Sequence, residues 1–231
     1  MNKFEDYFWN LDKKAKVHKW HHYFKIYDKH FHKFVGKNPT ILEIGIFEGG
    51  SLEMWNHYFD KNCQIYGVDV NPECLNIPSK LQTTNVQIDI GDQADRGFWK
   101  NYLKDKPKFD IIIDDGGHYM QQQIVTYEEL YHHVSDDGVY LCEDLHTSYW
   151  NEYGGGLNNP NSFVEYSKKF IDMLHVYYIR EEGGGEFSES ADNIPNDYKP
   201  FRKITNSVTY YDSIIVLEKT VDEEVPKNSI R

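Results

Sequence analysis

The stretch ILEIGIFEGGS at residues 41–51 decides the fold class. Its apolar half is typical of a buried strand, and the glycines that follow, Gly45, Gly49 and Gly50, are typical of a tight turn into a helix. A strand, a glycine-rich turn and a helix in this order form the first unit of an α/β domain. Glycine also lets a ligand approach the backbone closely, although an ordinary strand-to-helix turn has the same need for it.

Short apolar runs recur along the rest of the chain. They occupy 40–44, 64–69, 85–90, 109–114, 138–143, 174–179 and 210–219, and segments with helical spacing occupy 50–59, 94–104, 119–133 and 161–173. This alternation predicts a doubly wound, mostly parallel sheet with helices on both faces. Asn161 or Ser162 is the predicted N-cap of the last of these helices. The segment 182–206, rich in Gly and Ser, is predicted to be a long loop.

The segment HKWHHYFKIYDKHFHKF at 18–34 precedes the first strand. An apolar stripe at spacings of three and four predicts an amphipathic helix, packed on the sheet or on a partner subunit, and it consists of Trp20, Phe24, Tyr27, Phe31 and Phe34. We therefore predict a homo-oligomer. The segment also contains five histidines, with His18 and His22 one helical turn apart. Because no acidic or Cys ligand accompanies them, we interpret these histidines as solvated rather than as a metal site.

Composition limits the class of protein and its partners. With 231 residues, 39% of them hydrophobic and 16% aromatic, the chain is globular and most simply one domain. Its formal net charge of −12 argues against a nucleic-acid surface and suits a cationic cofactor or a neutral substrate. Three cysteines without CxxC spacing indicate a reducing compartment. Since no apolar run is long enough to span a membrane and no leader peptide is evident, we predict a cytoplasmic protein with no membrane partner.

The first glycine loop excludes two common phosphate sites. A dinucleotide loop would place its second glycine where this chain has Phe47, and a P-loop would need a Lys-Ser/Thr pair. A nucleoside-like ligand without phosphates remains. Asp69 ends the second run, where a carboxylate can accept from ribose hydroxyls, and Asp92 follows the third, where it can bind an adenine amine. Glu43 lies beneath the loop, so an acidic pocket for S-adenosylmethionine is predicted.

Paired acids end two further strands in the segments IIIDDGGH and LCEDLH. Asp114 and Asp115 follow the fourth run, and Glu143 and Asp144 follow the fifth. Because ligands bind at the carboxyl ends of strands in a doubly wound sheet, these four acids are expected to converge. Their mutual repulsion would be relieved by a hard divalent cation, and oxygen ligands favour Mg²⁺ or Ca²⁺ over Zn²⁺. Which of Asp114 and Asp115 faces the cation stays open.

Six segments together resemble one family: HKWHHYF, LEIGIFEGGSLEMW, IYGVDVNPEC, GDQAD, FDIIIDDGGHYMQQQ and GVYLCEDLHTSYW. They are similar to class I S-adenosylmethionine-dependent methyltransferases, in the branch of magnesium-dependent macrolide-sugar O-methyltransferases of the mycinamicin type and cephalosporin-hydroxylase-like proteins. The resemblance covers residues 15–180. It implies a Rossmann-like, seven-stranded, mostly parallel sheet with an antiparallel last strand. The chain then divides into an N-terminal helical extension (1–35), a methyltransferase domain (36–220) and a C-terminal tail (221–231).

The resemblance also assigns site residues. It implies that Asp115, Glu143 and Asp144 bind the metal and that His118 is the general base, with a structural role at a helix start as the alternative for His118. The residues predicted to contact the cofactor are Glu43, Gly45, Gly49, Ser51, Asp69, Asp92 and Asp114. His146 and Thr147 are predicted to orient the metal-bound carboxylates. Together with Tyr149 and Trp150, which form an aromatic wall or are packing residues, they are the candidate substrate contacts.

The function implied is a metal-assisted, S-adenosylmethionine-dependent O-methyltransferase. Its acceptor would be a sugar hydroxyl of a glycan, a nucleotide sugar or a glycosylated metabolite. Two alternatives stay open. The acceptor could be a phosphate, phosphoramidate or diol oxygen, or the chain could be a cofactor-binding partner protein of the cephalosporin-hydroxylase-like type that does little chemistry itself.

Overall fold

A computed structural model describes residues 3–10, 15–179 and 194–220, and these residues form one sheet with helices on both faces. The strands are β1 (Thr40–Ile44), β2 (Gln64–Asp69), β3 (Val86–Ile90), β4 (Phe109–Asp114), β5 (Val134–Cys142), β6 (Thr205–Tyr211) and β7 (Ile214–Lys219). Their spatial order is β3-β2-β1-β4-β5-β7-β6. The first five strands are parallel, and β7 runs antiparallel between β5 and β6. The predicted Rossmann-like, seven-stranded fold with an antiparallel last strand is confirmed.

The helices divide between the two faces of this sheet. They are α1 (Lys3–Asn10), α2 (Tyr23–Phe31), α3 (Gly50–Tyr58), α4 (Ile77–Leu81), α5 (Arg96–Tyr102), α6 (Met120–Leu130), α7 (Phe163–Leu174) and α8 (Tyr198–Ile204). One apolar cluster packs the helices from α1 through α4 against one face of the sheet. A second cluster packs the helices from α5 through α8 against the opposite face. Because successive strand residues point to opposite faces, Ile41 enters the first cluster and Leu42 the second.

Helix α2 packs on the sheet of its own chain. Phe24, Tyr27, Phe31 and Phe34 of the predicted stripe are buried, whereas Trp20 precedes the helix and is 57% exposed. The Tyr27 ring meets the indole of Trp55 edge-on at 5.1 Å, so aromatic packing fixes α2 against α3. With its apolar face buried inside the chain, α2 no longer supports the prediction of a homo-oligomer.

Three predictions about the second half of the chain need correction. The run 174–179 is not a strand, because α7 continues to Leu174 and a 3₁₀ turn, Val176–Tyr178, follows. The run 210–219 is not one strand but belongs to the β6–β7 hairpin, whose turn contains Ser213 at a φ of +64°. The predicted loop 182–206 ends in helix α8 and the start of β6. Helix α4, between β2 and β3, was not predicted.

Other features agree with the sequence or lie outside what is described. Ser162 caps α7 by accepting from the backbone N–H of Glu165, as predicted. The first part of the predicted loop, 182–193, and the tail 221–231 fall outside the described residues. Within the described part of the chain, no helix is both long and apolar enough to cross a membrane.

Candidate active site

Acids from three neighbouring strands converge on one face of the sheet. Glu43 in β1 pairs with Ile113 in β4, which in turn pairs with Leu141 in β5. Asp115 and Glu143 each come two residues after those partners and therefore point to the same side as Glu43. This is the face that α2 and α3 cover. Burial raises the pKa of Glu43 and Asp115 to about 7 and that of Glu143 to about 8.

Asp114 points to the opposite face, which settles which acid of the pair enters the cluster. Its side chain is 1% exposed, and its Oδ1 accepts from Nε2 of Gln93 at 3.0 Å. The Tyr140 hydroxyl lies 3.4 Å from Oδ2. Burial raises the pKa of Asp114 to about 7. Asp114 does not line the site cavity, so the predicted cofactor contact is replaced by a structural one that orders the loop after β4.

A lysine that the sequence reasoning did not select lies inside the acidic cluster. The Nζ atom of Lys19 is 2.5 Å from Oδ2 of Asp115, 2.9 Å from Oε2 of Glu143 and 3.8 Å from Oε1 of Glu43. Its side chain is 2% exposed. The three carboxylates outweigh the effect of burial, which alone would lower the pKa of this amine, and hold it well above the usual range. Lys19 is therefore a buried ammonium ion.

Two tyrosines of α2 complete the contacts from the N-terminal segment. The Tyr27 hydroxyl donates to Oε1 of Glu143 at 2.7 Å, and the Tyr23 hydroxyl donates to Oδ1 of Asp144 at 2.7 Å. Lys19, Tyr23 and Tyr27 are spaced four residues apart, a sequence signal that could have grouped them on one side of the segment but does not show that they face the acids. Interpreting Tyr27 as part of an apolar stripe concealed its polar end.

His118 lies at the edge of this cluster in a strained backbone conformation. Its Nε2 atom is 3.3 Å from Oδ2 of Asp144 and 3.9 Å from Oδ1 of Asp115. Burial lowers the pKa of the imidazole, with the Lys19 ammonium acting in the same direction and Asp144 opposing it. Its φ is +59°, in the left-handed region that non-glycine residues rarely adopt. Because its pKa is lowered, the imidazole that lies beside these two carboxylates is mostly neutral.

One group of side chains has the spacing of a metal site. Ligand atoms of Asp115, His118 and Asp144 all lie within 4.8 Å of one another, and the part of the chain that is described contains no second such group. Glu143 stands apart from it, because both of its oxygens accept from Lys19 or Tyr27. The His18–His22 pair forms no such group either, and the His22 ring contacts the carbonyl oxygen of Asp212.

A cavity of about 520 Å³ opens beside this cluster, bordered by the glycine loop. Gly45 has a φ of +80°, and a Cβ there would lie 2.1 Å from the carbonyl oxygen of Asp115. Oδ2 of Asp69 accepts from the backbone N–H groups of Ile46 and Phe47, which fixes the loop over the cavity. Asp92 also lines the cavity at the end of β3. Glycine is thus required at residue 45 by close approach as well as by its φ.

The remaining predicted cofactor residues support the loop. Gly49 is the N-cap residue of α3 and has a φ of +85°. A Cβ there would lie 2.4 Å from the Ile77 side chain, and Gly49 does not line the cavity. Ser51 lines the cavity, but its hydroxyl donates to Oε2 of Glu43 at 2.9 Å. The indole of Trp55 donates to the same oxygen at 3.0 Å. Glu43 therefore ties α3 and Lys19 to β1 from below the cavity.

The family with the description FtsJ-like methyltransferase matches residues 22–146, which is more than half of the chain and includes every group of the cluster except Lys19. The chain belongs to the FtsJ-like methyltransferase family. The resemblance to class I methyltransferases is thereby confirmed.

Individual relatives of this member of the FtsJ-like methyltransferase family include O-methyltransferases. Demethylmacrocin O-methyltransferase of Streptomyces fradiae is 32% identical over 68% of this chain and 41% of its own length. Mycinamicin VI 2''-O-methyltransferase of Micromonospora griseorubida is 33% identical over 75% of this chain and 51% of its own. The chain thus spans about half the length of these curated relatives.

A solved structure shares the fold over most of this methyltransferase. The MycE methyltransferase from the mycinamycin biosynthetic pathway, in complex with Mg and SAH, aligns with a TM-score of 0.74 at 25% identity. The alignment covers 90% of this chain and 52% of the MycE chain. Because the alignment covers 90% of this chain, it agrees with the strand order and with the antiparallel direction of β7.

The loop after β5 forms the rim of the candidate site. Thr147 is buried, and its Oγ1 lies 3.0 Å from the carbonyl oxygen of His118 and 2.9 Å from that of Asp144. Its predicted orienting role therefore acts through the backbone, and its position does not suit a substrate contact. The His146 ring nitrogen Nδ1 lies 2.6 Å from the Ser213 hydroxyl, so the β6–β7 turn holds this part of the rim.

Exposed aromatic side chains surround His146. Its ring meets Trp150 at 4.6 Å and Trp20 at 6.1 Å, both edge-on. Trp150 is 43% exposed and Tyr149 52%, so both present surface to solvent, and the choice between an aromatic wall and packing residues stays a prediction. Trp20, which was predicted to belong to the apolar stripe, joins this rim instead.

Proposed function

We propose that this chain is an S-adenosylmethionine-dependent, divalent-metal-assisted O-methyltransferase that acts on a sugar hydroxyl. The observation that carries the proposal is the position of His118, whose Nε2 lies between Oδ1 of Asp115 and Oδ2 of Asp144 beside a cavity of about 520 Å³. A base, two oxygen ligands and room for a cofactor thus occur together. The O-methyltransferase activity of the curated relatives and the Mg and SAH of the MycE structure support the same activity.

The cavity suits S-adenosylmethionine. Oδ2 of Asp69 accepts from two backbone N–H groups, whereas Oδ1 accepts from that of Asn71 and keeps a lone pair that can accept from a ribose hydroxyl in the cavity. Asp92 can accept from the adenine amine at the same edge. Gly45 leaves room where any side chain would collide with the loop after β4. When bound, the cofactor supplies a methyl group on a positively charged sulfur, which an acidic site suits.

The carboxylates suit a hard divalent cation. Asp115 and Asp144 offer oxygen donors, the ligand type that Mg²⁺ prefers, and burial without a cation raises the pKa of Asp115 to about 7. A bound Mg²⁺ would supply Lewis acidity, which lowers the pKa of a substrate hydroxyl. Glu143, the third predicted ligand, accepts from Lys19 with both oxygens and from Tyr27 with Oε1, so the proposed metal site uses Asp115 and Asp144.

His118 removes the proton in the proposed reaction. Its lowered pKa leaves Nε2 free to accept the acceptor's hydroxyl proton near neutral pH. As the proton passes to Nε2, the hydroxyl oxygen forms its bond to the methyl carbon and the bond from that carbon to sulfur breaks. Solvent then takes the proton from the imidazolium. Displacement of this kind depends on alignment, which a rigid site provides.

The rim favours a neutral sugar among the acceptor classes. Trp20 and Trp150 both contact the His146 ring and are both exposed, and exposed indole rings offer apolar surface to the C–H face of a sugar ring. A phosphate or phosphoramidate acceptor would bring negative charge toward Asp115 and Asp144, which repel it. Cytoplasmic location, a homo-oligomer and the absence of a nucleic-acid partner stay predictions.

Calorimetric titration with S-adenosylmethionine tests the cofactor, and a methyl-transfer assay with demethylmacrocin and a simple catechol tests the acceptor. We expect tight binding by the wild type and a loss of about tenfold or more in Asp69→Ala, the cost of a charged hydrogen-bond acceptor. Glu48→Ala, which removes an exposed acid of the same loop, should bind normally. No binding by the wild type would contradict the proposal. Binding without transfer to any acceptor would favour a cofactor-binding partner protein.

A further inference from the structure

Lys19 occupies the position in the acidic cluster where a cation is most needed. Its Nζ contacts acids from the ends of β1, β4 and β5, three strands that are adjacent in the sheet. Four carboxylates, those of Glu43, Asp115, Glu143 and Asp144, lie in or beside this cluster. A lysine side chain that is only 2% exposed stays inside a protein only when its charge is paired in this way.

The contacts of Lys19 divide the carboxylate oxygens into two sets. Both oxygens of Glu143 accept from Lys19, and Oε1 accepts from Tyr27 as well. Asp115 is shared, because its Oδ2 binds Lys19 whereas its Oδ1 is turned toward His118. Oδ1 of Asp144 accepts from the Tyr23 hydroxyl, and Oδ2 faces His118. The oxygens left for a cation at the cavity are therefore Oδ1 of Asp115 and Oδ2 of Asp144.

We infer that Lys19 is a resident counter-cation of the metal site, a positioning residue that keeps Glu143 out of the ligand set and lowers the affinity for the divalent ion. This inference rests on the metal site of the proposed function. Without an ion, the ammonium prevents the buried acids from repelling one another, so the site is already assembled. With an ion at Asp115 and Asp144, the ammonium on the far side of Asp115 repels it. Lys19 thus makes the site stable when empty and the ion exchangeable.

Two effects of opposite sign follow from removing the ammonium. Metal-free Lys19→Met should melt at a lower temperature than the wild type, because Glu43, Asp115 and Glu143 lose their counter-charge. The same variant should bind Mn²⁺, measured by electron paramagnetic resonance, about tenfold or more tightly, as expected for the loss of one nearby positive charge in a buried site. A residue that only supported the fold would weaken metal binding when removed.

Matched variants separate position from charge. Lys16→Met removes an exposed lysine that lines the same cavity and should leave Mn²⁺ affinity within about twofold of the wild type, since exposed charges are screened. Glu143→Gln should keep Mn²⁺ affinity within about threefold, whereas Asp115→Asn, which removes a ligand, should lose about tenfold or more. The double variant Lys19→Met/Glu143→Gln removes one charge of each sign and should recover part of the lost melting temperature. Glu143→Gln provides the test even if Lys19→Met does not fold.

The outcomes distinguish this inference from the proposed function. Tighter Mn²⁺ binding by Lys19→Met beside a wild type that binds Mn²⁺ supports the inference, whereas binding by Lys19→Met alone overturns both the exchangeable ion of the inference and the metal dependence of the proposed function. Equal or weaker binding by Lys19→Met beside a wild type that binds Mn²⁺ overturns the inference alone, as does a tenfold loss in Glu143→Gln. Absence of Mn²⁺ binding in every variant overturns both.

Discussion

The imidazole of His118 faces the carboxylate of Asp144 at 3.3 Å, and both residues have left-handed backbones, with φ values of +59° and +56°. The loops that carry them follow different strands, β4 and β5. Each residue bears a cost in strain, about 1–3 kcal/mol for a non-glycine residue in this region. Thr147 joins the two loops by lying within hydrogen-bond distance of both carbonyl oxygens. Such strain at two facing residues indicates that their relative position matters to function.

His118→Gln should lower kcat by about 10²- to 10⁴-fold, the usual contribution of a general base. Binding of S-adenosylmethionine should change little, because the glutamine retains the size and polarity of the side chain. Steady-state kinetics and calorimetry on the same preparations would show the two effects. A variant that keeps most of its rate would mean that the metal alone activates the hydroxyl.

The pH–rate profile should report the same base. Because burial lowers the pKa of His118, the neutral, active form persists below the ordinary value of 6.5. The rate should therefore fall on the acidic side only as the pH drops through that lowered pKa. The acidic limb should be absent in His118→Gln. An unchanged limb in that variant would assign the ionisation to another group, such as a metal-bound hydroxyl.

Thr147→Val should disturb the pair of strained loops without touching the cavity. Loss of the hydroxyl removes one donor that lies within reach of the carbonyl oxygens of His118 and Asp144, although the Asp144 oxygen still accepts from the backbone N–H of Thr147. This should cost about 1 kcal/mol of unfolding free energy and lower kcat about tenfold. Thr147→Ser keeps the hydroxyl and should behave nearly as the wild type. Urea denaturation and kinetics give both quantities. A rise in the acceptor's KM alone would instead restore the predicted substrate contact.

Gly45→Ala should be far more damaging than Gly36→Ala. Both glycines have φ near +80°, but a Cβ at residue 36 meets nothing within 4 Å, whereas one at residue 45 lies 2.1 Å from a backbone oxygen. The φ alone should cost about 1 kcal/mol. We expect Gly36→Ala to lose about that much and to bind S-adenosylmethionine normally, and Gly45→Ala to lose binding as well as about 3 kcal/mol or more. Equal losses in the two variants would contradict the close approach.

The sequence predicted the first half of the sheet better than the second. Strands β1 to β5 are short apolar runs separated by segments with helical spacing. The length of the runs and the period of the segments between them were therefore sufficient to predict these strands. The β6–β7 hairpin was interpreted as one strand because its two-residue turn, Asp212 and Ser213, has no glycine or proline to mark it. The run 174–179 contains β-branched and aromatic residues, but α7 ends at its first residue and a 3₁₀ turn follows, in which Val176 and Tyr177 are buried.

Two features of the site could not be predicted because they depend on tertiary contacts. Strand β4 is buried on both faces and shows no alternation of apolar and polar residues, so the sequence cannot tell whether Asp114 or Asp115 faces α2. Lys19 contacts Asp115 across 96 positions of sequence and Glu143 across 124. Only the packing of α2 on the sheet brings them together.

Asp114→Asn tests whether this acid is structural. Its folded pKa of about 7 exceeds the unfolded value of 3.8, so the stability that its protonated form contributes is present below pH 3.8 and is lost as the pH rises through about 7. The amide does not ionise and can still accept from Gln93. In metal-free protein, the unfolding free energy of Asp114→Asn relative to the wild type should therefore increase by about 1 kcal/mol or more between pH 5 and pH 8. Affinity for S-adenosylmethionine should stay within about twofold, as for a residue outside the cavity. A difference independent of pH, together with a large loss of cofactor affinity, would return Asp114 to the cofactor contacts.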